Sequence, residues 1–180
     1  LALIAPAAEL ARLRSIFSDG IKHEEQDNWA EALAAFEEVA RAKRTAAVVF
    51  HLGLCHEKLG RLKKAKATFE EAETLATTEG AGSAEVRDKA ARRRDAVAER
   101  MPTLRVTMTP SPDAKVSVNN VAWTDAEIGK AVPVDPGRAR VVVDKGGQVL
   151  FEREVTLKEG EHKTVRVVLG GDAPPPPGDD

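Results

Sequence analysis

The sequence predicts two domains of different class, an array of helical hairpins followed by a small antiparallel β-sandwich. Three observations carry this reading. First, the N-terminal half repeats itself: Gly20 and Gly53, Ala32 and Ala65, and Phe36 and Phe69 are related by one shift of 33 residues, which Phe17/Phe50 and His23/His56 also obey. A fixed period of this size is the mark of stacked helical hairpins, an architecture for holding partners. Second, the composition changes near Met101-Pro102, from Ala, Glu, Lys and Arg to Val, Thr, Pro and Gly. Third, apolar residues beyond Thr103 alternate instead of recurring at helical spacing. The expected organisation is a helical domain over 9–101 and a β-sandwich over 102–170, preceded by 1–8 and followed by a Pro-rich linker over 171–180.

Charge and composition exclude several function classes. The formal net charge is −2, and 17 of the 27 basic and 17 of the 29 acidic residues precede Pro102. Neither half therefore has the basic surplus that nucleic-acid binding requires. Arg92-Arg93-Arg94 shares its stretch with Asp88, Asp95 and Glu99 and reads as a solvated helix face. Cys55 is the single cysteine, so no internal disulfide is available. Its place between Leu54 and His56 on a helix reads as a packed thiol. No stretch approaches the roughly 20 apolar residues of a membrane span. The small apolar residues Leu1 to Ala8 resemble the end of a secretory leader and its cleavage region.

Helical periodicity marks five segments, at 8–26, 29–43, 46–59, 62–77 and 84–100. Asp27-Asn28, Gly60 and the run Gly80-Ala81-Gly82-Ser83 punctuate them, with Ser83 expected as the N-cap of the last helix. Pro102 disfavours helical geometry at Met101 and ends that helix. Within these segments, Leu52-Gly53, His56, Ala65 and Phe69 form one copy of a pattern, and Gly20, His23, Ala32 and Phe36 form another. The pattern resembles the tetratricopeptide repeat, with histidine in place of the usual aromatic and no proline near Arg44-Thr45. In that family the first helix of each hairpin lines a concave groove. The resemblance thus implies a partner-binding groove of Arg14, Phe17, Ile21 and Glu24 in the first repeat and Ala47, Phe50, Leu54 and Glu57 in the second. An apolar floor edged by charge suits a partner peptide. The groove is either open to such a partner or filled by residues 1–10 or by the last helix.

The β half alternates at Leu104, Val106 and Met108, at Val116 and Val118, and at Ala139, Val141 and Val143. Further alternation runs through Phe151, Val155 and Leu157 and through Val165, Val167 and Leu169. Pro110-Ser111-Pro112-Asp113, Asn119-Asn120, Asp135-Pro136-Gly137, Gly146-Gly147 and Glu159-Gly160 separate the runs. Gly146-Gly147 is the sharpest hairpin signal. Six or seven short strands in so few residues predict a small antiparallel sandwich. The proline turn before a Val-x-Val strand, followed by Pro133-Val134-Asp135-Pro136-Gly137 before a Val-rich strand, resembles a PEGA-type domain, an Ig-like module of bacterial envelope and surface proteins. Pro174 to Pro177 read as an extended linker. The resemblance implies a membrane anchor outside this chain.

No pattern for chemistry emerges. Gly80-Ala81-Gly82 lacks the lysine and strand of a phosphate loop. His51 and His56 are about 140° apart around a helix and do not converge on a metal. His23-Glu24 and His56-Glu57 occupy equivalent repeat positions and read as packing, and His162 reads as a solvated turn residue. Trp123 either covers the sandwich end or serves as an adhesive anchor. The expected protein is therefore a non-enzymatic interaction scaffold of the bacterial cell envelope, periplasmic or membrane-anchored. It would bind a protein or peptide and use no cofactor, metal or nucleic acid. The alternatives are a wall-associated adhesive or spacer module acting through the β-sandwich, and the sensory ectodomain of a membrane-anchored signalling protein.

Overall fold

In the computed structural model, which describes residues 5–109 and 111–169, each repeated glycine lies against the phenylalanine of its own repeat. A Cβ on Gly20 would stand 2.8 Å from the Phe36 ring, and one on Gly53 would stand 2.6 Å from the Phe69 ring. Only a hydrogen fits there, so the two helices of each hairpin meet backbone to ring. Phe36, Phe69 and the paired Ala32 and Ala65 are all fully buried. The helices are α1 (Ala5–Glu25), α2 (Trp29–Ala42), α3 (Ala46–Lys58), α4 (Leu62–Glu79) and α5 (Ala84–Arg100), with a 3-10 turn at Ala81–Ser83. Successive helices pack on one another, and α5 also packs on α3. The chain divides into two compact units between Met101 and Pro102. Among the described residues no helix is long and apolar enough to cross a membrane. The proline run at 174–177 and residues 1–4 lie outside the described residues, while Ala5 to Ala8 form the first turn and more of α1.

The two hairpin turns are copies of each other. Asp27 (φ 58°) and Gly60 (φ 71°) adopt the left-handed conformation at equivalent repeat positions. Asn28 N donates to His23 O at 2.8 Å, and Arg61 N donates to His56 O at 2.9 Å. The bonds from Asp27 N to Glu24 O at 3.1 Å and from Gly60 N to Glu57 O at 3.0 Å complete the same C-terminal motif twice. Between the hairpins, Thr45 caps α3, its Oγ1 accepting from Val48 N. Glu79 at the end of α4 accepts from Ala46 N at 2.8 Å and from the Ser83 hydroxyl at 2.6 Å. Those two bonds hold its carboxyl below the usual range. Ser83 does not cap α5 with its side chain as expected. The Glu79 carboxylate, being charged, is the stronger partner for its hydroxyl. Met101 turns extended before Pro102, where α5 ends.

Seven strands form the second unit: β1 (Thr103–Met108), β2 (Ala114–Val118), β3 (Val121–Trp123), β4 (Ala131–Pro133), β5 (Gly137–Lys145), β6 (Gln148–Leu157) and β7 (His162–Val167). They make a three-stranded sheet ordered β4-β1-β7 and a four-stranded sheet ordered β3-β2-β5-β6. The core between them is aliphatic, built on Leu104, Val106, Val116, Val118, Val141, Val143, Leu157, Val165 and Val167. Asn119-Asn120 and Gly146-Gly147 close two-residue hairpins, all four with positive φ. The expected antiparallel sandwich is present, with one parallel pairing within it: β1 and β7 run side by side from Thr103↔His162 to Met108↔Val167. The first and last strands of the unit run the same way because five strands intervene, a long crossover that no local turn specifies. His162 begins β7 rather than lying in a turn, and its Nδ1 is 2.7 Å from Thr103 Oγ1. Pro110 lies outside the described residues. Trp123 is half-buried against the sandwich core.

Gly53→Ala should destabilise the helical unit by about 1–2 kcal/mol in urea unfolding, because overpacking against a buried ring outweighs the better helix propensity of alanine. Gly82→Ala, whose Cβ would meet nothing within 4 Å, should change little in the same assay.

Candidate partner groove of the helical unit

The sequence-predicted groove residues lie on α1 and α3, where spacings of three and four set them along one face of each helix. They fall into three environments. Arg14, Phe17 and Ala47 line an open depression of about 360 Å3 together with Leu10, Leu13, Val39, Lys43, Thr45 and Val48. Its floor is apolar, and Leu10 is 39% exposed at its edge. Arg14 and Lys43, both exposed, stand on its rim with no ion pair among the described residues, Lys43 within electrostatic reach of the Glu79 carboxylate. Ile21, Phe50 and Leu54 are half-buried, Ile21 against the first hairpin's core and the other two against the core shared with α4 and α5.

Glu24 and Glu57 are drawn inward. The Glu24 side chain is 12% exposed and receives His51 Nδ1 at 2.9 Å. The Cys55 thiol lies 3.9 Å from the same carboxylate. The Glu57 side chain is 4% exposed and takes Arg100 Nη1 at 2.6 Å and Arg93 Nη1 at 3.5 Å from α5. Its Oε2 has no hydrogen-bond partner. The last helix thus covers this end of the predicted face. Arg94 pairs with Glu73 and Asp95, so two of the three consecutive arginines are neutralised by acids.

His51 is the residue that sequence reasoning missed. Its ring stacks on Phe36 (4.9 Å, 21°) and meets Phe17 and Phe50 edge-on at 5.4 and 5.7 Å. Phe36 therefore lies between Gly20 and His51, locking the first hairpin to α3. No repeat signal could have revealed this, because the position one repeat earlier is Ser18. Lys43 was missed as well: periodicity carries it into the second helix, whereas it is the extended residue that ends α2.

The candidate titrating groups are occupied by packing. Burial, reinforced by Glu24, pushes the Cys55 thiol up to about 12, so it is protonated and inert near neutrality. Burial, with Lys64 and Arg61 adding to it, lowers His56 to about 4. Nδ1 of His56 and of its repeat partner His23 are both buried without a hydrogen bond. Among the described residues no group of three or more His, Cys, Asp or Glu is placed to hold a metal ion.

His56 sets an acid-side loss of stability. The unfolded chain takes up its proton near 6.5 and the folded chain only near 4. Between those values the unfolded state binds more protons, and stability falls as pH is lowered, by up to about 3 kcal/mol across the window. His56→Phe should flatten the stability profile between pH 6.5 and 4, read by urea unfolding at stepped pH.

No protein-family profile and no curated protein matches the chain. Among solved structures, it is similar to a tetratricopeptide repeat domain protein from Salinibacter ruber at 23% identity. That likeness covers 48% of this chain and 96% of the other, with a TM-score of 0.43.

Proposed function

We propose that the chain is a non-catalytic protein-interaction scaffold whose helical unit holds a peptide in the depression between α1, α2 and α3. The observation that carries this reading is an apolar floor left open beside Phe17 and Ala47 with Arg14 and Lys43 on its rim. A segment combining apolar side chains with carboxylates satisfies both features, burying area on the floor and meeting the rim charges. The absence of chemistry in this reading is supported by His56 and Cys55, which burial holds in their neutral forms. The likeness of residues 102–170 to PEGA-type modules supports a place in a bacterial cell envelope.

The test is a displayed random-peptide library selected on the full chain. Enriched sequences should mix apolar and acidic residues, and their calorimetric affinity should fall at least tenfold with Ala47→Arg, a loss of about 1.4 kcal/mol. That substitution fills the depression without removing a core side chain. Lys115→Glu, exposed on β2 in the other unit, should leave the affinity unchanged. No enrichment, or equal affinity for Ala47→Arg, would overturn the reading.

A further inference from the structure

The β-sandwich treats the arginines of its two outer faces differently. On the four-stranded sheet, Arg140 meets Glu152 at 2.7 Å and Arg138 meets Glu154 at 3.7 Å across β5 and β6. On the three-stranded sheet, the outward side chains of β1 are Thr103, Arg105 and Thr107, and those of β7 are His162, Thr164 and Arg166. The parallel register sets Arg105 beside Thr164 and Thr107 beside Arg166. Each guanidinium thus has a hydroxyl neighbour, and the two arginines stand on a diagonal with backbones about 8 Å apart. Both are exposed, and neither has a carboxylate partner among the described residues. The acids flanking the paired strands are engaged elsewhere. Glu161 accepts from Lys158 N and pairs with Lys163, and Glu127 accepts from Thr124 N and Oγ1.

This composition selects a ligand class. Beyond the His162 imidazole, hydrogen-bonded to Thr103 at one end of the pair, the outward positions of β1 and β7 carry no aromatic ring and so no platform for successive bases. They also carry no large apolar side chain to anchor the centre of a protein interface. What they offer is two forked cationic donors, which match carboxylates in pairs of hydrogen bonds, among hydroxyls that both donate and accept. We propose that the outer face of the three-stranded sheet, centred on Arg105 and Arg166, binds an acidic polysaccharide, a hydroxyl-rich chain bearing carboxylates. A net charge of −2 gives the whole chain no general attraction for polyanions, so the recruitment is local to this face. Single exposed ion pairs are weak, and affinity rests on several being engaged at once along the polymer. The inference is independent of the helical groove.

The probe is polygalacturonate at low ionic strength, with dextran as the neutral polymer and poly-L-glutamate as the same charge on a peptide backbone. Binding to the immobilised full chain is read by interferometry, after circular dichroism and a thermal melt show that each variant is folded. Polygalacturonate should bind and dextran should not. Arg105→Gln with Arg166→Gln should weaken binding at least tenfold. Arg138→Gln with Arg140→Gln, the same change in net charge on the other sheet, should weaken it less than twofold. The proposal is overturned by an absence of polygalacturonate binding, by equal weakening in the two double variants, by dextran binding as well, or by poly-L-glutamate binding as tightly.

Discussion

The helical unit depends on the contact between a glycine backbone and a phenylalanine ring, made twice. Gly20 under Phe36 and Gly53 under Phe69 bring paired helices closer than any side chain would allow. Both rings are fully buried, and truncating such a ring typically costs about 3–5 kcal/mol. Each ring also faces outward from its own hairpin. Phe36 stacks on His51 of the next hairpin, and Phe69 shares a core with Ala90 and Val97 of α5. The same residue that closes one hairpin therefore attaches it to the next helix, which is why the repeat must recur in sequence at a fixed interval.

A polar version of that logic accounts for Glu24 and Glu57. They occupy one repeat position, yet Glu24 binds His51 and lies beside Cys55, whereas Glu57 binds Arg93 and Arg100. In each case a carboxylate on the first helix of one hairpin reaches the helix two along, α1 to α3 and then α3 to α5. The repeat thus specifies where an acid sits, and the neighbouring helix decides what it meets. Glu57 takes two arginines of α5 on one oxygen and keeps the other unbonded, so the burial cost of its charge is offset only in part, by guanidiniums that themselves remain partly in water.

Much of this was legible in the sequence, for reasons that differ by element. The first four helices were readable because apolar periodicity and repeat register agreed, the fifth from periodicity and the stop at Pro102, and Gly60 and Asp27 marked turns that share one left-handed geometry. The β core was readable because Val116/Val118, Ala139/Val141/Val143 and Val165/Val167 alternate without interruption. What escaped were contacts between distant segments with no periodic partner. His51 has no counterpart in the first repeat, Ser83 found a charged acceptor one turn back, and β1 and β7 pair across five intervening strands. The eight proposed groove residues fall along one face of α1 and of α3, and their spacing could not show that α5 would cover Glu57. That covering belongs to the tertiary packing of a helix whose own repeat signature is weak.

The two candidate surfaces differ in the force they can apply. The depression between α1, α2 and α3 offers apolar area at Leu10, Phe17 and Ala47, and removing that area from water favours binding at any ionic strength. The outer face of β1 and β7 has almost nothing apolar to bury, so its attraction rests on guanidinium charge and is screened over about 10 Å at 0.1 M salt. Salt therefore discriminates between them without reference to any particular partner. An apolar floor with a charged rim loses rate and register as salt rises but retains most of its affinity, whereas an arginine–threonine face loses the affinity itself. That difference follows from which side chains each fold turns outward: a helix pair that must expose its inter-hairpin seam at the first repeat, and a sheet whose every second residue faces water.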